Sequence, residues 1–162
     1  MSNIEEAFSK AGFSGHGKKD RGKSFDKGKT WSPEDQYRAN IIRHFSENYK
    51  QFILTNGGED YNNYIAKVKG YIQRQKDQIT TSQLRNIFSK IKSLASPKDA
   101  WRLRPNLAYV AGRSEKAGGT RELVWLLDEL INDIKADEKL KLENFKNFFE
   151  AIIAYHKYFG GK

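Results

Sequence analysis

From residue 33 to the end of the chain, apolar side chains recur at steps of three and four, with no sustained two-residue alternation. Residues three and four apart share a helix face, whereas a strand puts every second residue on one side. The pattern therefore reads as an all-α fold. Its first helix is expected over 33–55, with Tyr37, Ile41, Phe45, Tyr49, Phe52 and Ile53 inward and Asn56-Gly57-Gly58 as its stop. The second, 60–78, turns Tyr61, Ile65, Val68 and Ile72 inward. The third begins with a capping box from Thr80 to Gln83 and buries Leu84, Ile87, Phe88 and Ile91, with Leu94 at its end. The fourth covers 97–115, and Gly118-Gly119 is expected to break the chain after it. The fifth, 120–136, buries Leu123, Val124, Leu127, Leu130, Ile131 and Ile134. The sixth, 139–159, buries Leu142, Phe145, Phe149, Ile152, Ile153 and Phe159. These elements predict a compact bundle of five to six helices forming one domain over 32–162, with short turns that favour antiparallel neighbours.

The three prolines sharpen this reading. Pro33 and Pro97 stand in "SPED" and "SPKD", where serine caps, proline takes the first helical position and aspartate closes a capping box. Pro105 falls inside the fourth helix. It has no N–H for the Trp101 carbonyl, at a cost of about 3 kcal/mol. A kink, or a second segment beginning near Arg104, is expected there. Such a bend would bring Arg104 and Arg113 toward one anion from different turns.

Ahead of the bundle, residues 10–31 hold five glycines and seven basic residues without periodicity. They predict a flexible basic tail over 1–31, with a short helix near 3–10. No apolar run approaches the ~18 residues of a membrane span. The absence of cysteine excludes disulfides and thiolate metal sites. The first residues show no apolar signal core, so a cytosolic protein is expected.

Net charge is +9, and its distribution carries the information. Residues 64–116 hold twelve basic and three acidic side chains, a local excess equal to that of the whole chain. Such an excess points to an acidic partner, most often nucleic acid. Catalytic chemistry finds little support. His16, His44 and His156 stand in no metal-binding or acid–base motif, and packing or hydrogen bonding is the expected role of the last two. Asp128, Glu129 and Asp133 read as a solvated helix face. No Walker, dinucleotide, cofactor or metal-ligand spacing occurs.

The basic residues form a better pattern. Arg85 and Lys92 are seven apart on the third helix, with Ser89 on the same stripe. Arg102, Tyr109 and Arg113 align on the fourth if that helix is continuous. Arg43 on the first helix and Arg74 on the second can extend the surface. Arginine suits phosphate because its planar fork donates two hydrogen bonds at once. No aromatic pair of the base-stacking kind is evident, so binding is expected to be to the backbone.

Three segments together resemble a known family. "QLRNIFSKI" at 83–91, "LRPNLAYVAGR" at 103–113 and "FFEAIIAYHKYFGG" at 148–161 look like the small helical subunit of the type III-A CRISPR effector, the Csm complex. The likeness covers about 32–160, and the middle segment is its most specific part. It implies a non-catalytic subunit that stacks in several copies beside larger subunits. It also implies contact with target RNA and the guide–target duplex through sugar and phosphate. Arg85, Arg104 and Arg113 stand inside the matching segments. Arg43, Arg74, Lys92 and Arg102 join the expected RNA-binding set from helix faces and charge. The partners so implied are RNA, the other Csm subunits and further copies of the chain. Two other readings stay open: a helical adaptor with a basic face for an acidic protein, and a small hydrolase using Asp128 or Asp133.

Overall fold

In the computed structural model, the residues described are 30–114 and 118–162. Residues 1–29 of the expected 1–31 tail, with its short helix, and residue 115 of the expected fourth helix lie outside them. The chain divides into two units, Met1–Asp35 and Gln36–Lys162. In the first, Ser32 and Asp35 make the reciprocal cap that the sequence predicts: the Asp35 amide donates to Ser32 Oγ at 3.1 Å, and the Ser32 amide donates to Asp35 Oδ2 at 3.1 Å.

Among the described residues the fold is all-α, with seven helices and no strand. They are α1 (Pro33–Phe45), α2 (Tyr49–Leu54), α3 (Tyr61–Gln75), α4 (Thr81–Lys92), α5 (Pro97–Gly112), α6 (Gly118–Asn132) and α7 (Lys139–Tyr158). The count exceeds expectation because the predicted 33–55 helix is two. Ser46 takes φ 110°, and α1 and α2 part there. The break re-aims Tyr49, Ile53 and Leu54, which are buried where α2 packs on α6 and α7. Asn144 of α7 then donates to the Leu54 carbonyl at 2.8 Å, closing the end of α2. The stop at Asn56-Gly57-Gly58 holds as predicted. Gly57 has φ +82°, and a Cβ there would come within 2.6 Å of Tyr64 Cβ.

Helix α7 is the central element of the second unit, packing on α2, α3, α4 and α5. It buries Leu142, Phe145, Phe148, Phe149 and Ile152, and its His156 donates from Nε2 to the Ile79 carbonyl at 2.8 Å. Helix α6 buries Leu123, Val124, Leu126, Leu127, Leu130 and Ile131 and packs on α5 and α2. The predicted core residues of α4 and α6 are buried, except that Phe88 is half-buried. Two further expectations are corrected. Tyr61 points out, 57% exposed, and Tyr64 and Tyr71 fill the inner face of α3 instead. Gly118-Gly119 does not break the chain but begins α6. There Gly119 lies so close to Gln78 that a Cβ would meet its Cβ at 2.6 Å. Ile153 and Phe159 are half-buried.

No second segment begins at Pro105. Helix α5 runs unbroken from Pro97 to Gly112 through it. Ala100, Leu103, Leu107 and Val110 are buried on one side, and Pro105 lies on the exposed side. The core face thus keeps its helical register, and the capping box of Ser96 and Asp99 secures the start, a cap worth about 1 kcal/mol.

Candidate nucleic-acid interface

The helical register of α5 sends its arginines to different sides. Arg104 and Arg113 are nine positions apart, which at about 100° per residue puts them on opposite sides of the axis. Arg104 faces α6. Its Nε and NH2 donate to the two carboxylate oxygens of Asp128 at 2.7 and 3.1 Å, and its NH1 donates to Asn132 Oδ1 at 3.2 Å. These bonds to Asp128 push the Arg104 pKa further above its ordinary value. Arg104 is therefore a brace between α5 and α6. In the chain as it stands here, its guanidinium fork is engaged by a carboxylate. Asp128 likewise leaves the solvated face that was predicted for it, both of its oxygens accepting from Arg104. Among the described residues, no group of three or more histidine, cysteine, aspartate or glutamate side chains could hold a metal ion.

On the other side of α5, Lys98, Arg102, Asn106, Tyr109 and Arg113 form one exposed stripe. Arg102 approaches Asp99 at 3.8 Å, but its side chain remains 78% exposed. Such a pair contributes about 0–1 kcal/mol and yields readily to a stronger anion. The Arg113 guanidinium lies 5.8 Å from the Tyr109 ring, and Tyr109 is 65% exposed. On α4, which packs against α5, Arg85, Ser89 and Lys92 are exposed along one stripe as predicted. Lys92 Nζ lies 5.7 Å from the Phe88 ring. Among the described residues no carboxylate lies within 4.0 Å of Arg85, Lys92 or Arg113.

Arg43 and Arg74 stand elsewhere, beside a polar cluster that sequence reasoning missed. Glu122 of α6 is 3% exposed. It accepts hydrogen bonds from Asn40 Nδ2 at 2.8 Å, Tyr71 OH at 3.0 Å and Gln75 Nε2 at 2.8 Å, tying α1 and α3 to α6. Burial raises its pKa; the Asn40 and Tyr71 bonds and the nearby charges of Arg74 and Arg43 oppose that rise. Arg43 donates to Asn40 Oδ1 at 3.1 Å. His44 Nε2 donates to the Lys67 carbonyl at 2.8 Å, so in neutral His44 the other ring nitrogen accepts, and Arg74 NH1 reaches it at 3.4 Å. Burial lowers the His44 pKa, which favours that neutral form. Both histidines of the described chain thus serve in hydrogen bonding. The signal for Glu122 was its place on the apolar stripe of α6, four residues before Leu126.

The chain can now be set beside known proteins. The model of the family described as Csm2 Type III-A matches residues 58–162. The "CRISPR system Cms protein Csm2" of Streptococcus thermophilus is 32% identical over 116 residues, spanning 62% of this chain and 93% of that protein. No solved structure matches the chain.

Proposed function

The chain belongs to the type III-A Csm2 family, and from that membership we propose that it is a non-catalytic small subunit of a type III-A CRISPR effector, binding RNA through sugar and phosphate. The observation that carries the RNA reading is the pair of exposed basic stripes on α4 and α5, with Arg85, Lys92 and Arg113 unpaired by carboxylates among the described residues. Guanidinium and ammonium groups left in water keep their capacity for phosphate, and they bind it without regard to sequence. The target strand and its duplex with the guide are the proposed ligands. Arg43 and Arg74, beside the Glu122 cluster, are a second, separate proposed RNA contact. Stacking of several copies is part of the same proposal. Leu140 and Tyr158, 73% and 74% exposed, give a neighbouring copy or another Csm subunit apolar surface to cover.

Titration of labelled single-stranded RNA at two salt concentrations tests the reading. Each phosphate contact should contribute about 0.7 to the slope of log affinity against log salt. Salt-insensitive binding, or binding confined to one sequence, contradicts it. An adaptor for an acidic protein would instead keep its partners after nuclease digestion.

A further inference from the structure

Backbone contact leaves Tyr109 unexplained. The residue sits in the middle of the basic stripe of α5, on the side opposite Ala100, Leu103, Leu107 and Val110, and is 65% exposed. Its ring adds nothing to the core. Scattered exposed aromatics need no explanation, but this one has a defined setting. Arg113 follows it by one helical turn and holds its guanidinium 5.8 Å from the ring centre. Arg102 precedes it by two turns on the same face. Rises of about 10 Å from Arg102 to Tyr109 and about 6 Å from Tyr109 to Arg113 place an aromatic surface between two cations.

We propose that Tyr109 stacks on an unpaired base of single-stranded RNA while Arg102 and Arg113 hold the flanking phosphates. This rests on the RNA reading of the α5 stripe and adds a preference to it. Every base has a π face, so the contact is indifferent to sequence. Paired bases are enclosed within their own stack, so the contact selects single strand over duplex. An arginine beside the ring reinforces it, since a guanidinium plane near an aromatic face attracts both the ring and the phosphate of its ligand.

The test uses the full chain and a single-stranded RNA carrying one 2-aminopurine, whose fluorescence falls when it stacks on an aromatic ring. The unaltered chain should quench the probe on binding. Tyr109→Ala should abolish the quenching and weaken single-strand affinity roughly tenfold, whereas Tyr109→Phe should retain both. The same probe paired within a duplex should show no change in quenching between the unaltered chain and Tyr109→Ala. Melting curves of the variants should coincide with that of the parent, because the ring lies outside the core. Salt-dependent binding with equal quenching by the parent and Tyr109→Ala would overturn the stacking role and leave the backbone reading in place. Absence of salt-dependent RNA binding by the parent would overturn both.

Discussion

The two sides of α5 carry arginines with opposite roles. Toward α6, Arg104 is locked in a two-pronged pair with Asp128 and reaches Asn132 with its third nitrogen. Toward solvent, Arg102 and Arg113 flank Tyr109 with their charge largely uncommitted. One residue type in one short motif therefore braces the bundle or faces a ligand according to its angle on the helix. Charge counted along the sequence cannot make that distinction.

The contrast breaks most sharply under charge reversal of the outer side. Arg102→Glu combined with Arg113→Glu should lower affinity for single-stranded RNA by about a hundredfold at low salt, roughly tenfold for each phosphate contact that becomes repulsive. It should also flatten the salt dependence, as read by fluorescence anisotropy, with the melting temperature unchanged. An unchanged affinity would place the RNA surface elsewhere.

The proline between the two sides comes next. In an unbroken helix, Pro105→Ala restores a donor for the Trp101 carbonyl and removes the ring from the turn behind it. A gain of roughly 1–3 kcal/mol in unfolding free energy is expected from denaturant titration. Destabilisation would show that the backbone at this point depends on proline geometry. A smaller effect belongs to the inner side. Arg104→Ala should cost about 1 kcal/mol, the upper range for a half-exposed pair of good geometry. Double substitution with Asp128→Ala should show coupling between the two positions.

The smallest effect concerns the buried carboxylate beside Arg43 and Arg74. Burial raises the Glu122 pKa above its ordinary 4.5, so between that value and the raised one the folded state binds more protons than the unfolded state. Its contribution to stability is present below pH 4.5 and is lost as pH rises through the folded pKa. Melting temperature against pH should therefore show a downward component in this window that Glu122→Gln lacks. Parallel curves for the two proteins would mean that Glu122 titrates alike in both states.

Much of the architecture was legible in the sequence. The three-and-four spacing located the helices and most core residues, since a helix in a bundle must turn one stripe inward whatever it packs against. Capping boxes at Thr80 and Ser96 marked two starts correctly, because their hydrogen bonds are local. The break at Ser46 was not legible. No proline or glycine marks it, and its positive φ is set by the need of α2 to meet α6 and α7. The engagement of Arg104 was likewise not legible, because Asp128 and Asn132 come from another helix. The buried faces of Leu103, Leu107 and Val110 carry α5 in one helical run through Pro105. The α4 stripe of Arg85 and Lys92 came through intact, as it depended on period alone. Glu122 escaped notice because its partners come from helices distant in sequence.

The separation of the two sides of α5 is tested most directly by neutralising one arginine on each. Arg113→Gln and Arg104→Gln remove the same charge from the same helix, so RNA affinity and melting temperature can be compared at one ionic strength. Arg113→Gln should weaken RNA binding several-fold and leave the melting temperature in place, whereas Arg104→Gln should lower the melting temperature and leave RNA affinity in place. Equal losses of RNA affinity in both variants would contradict the division of labour across the helix.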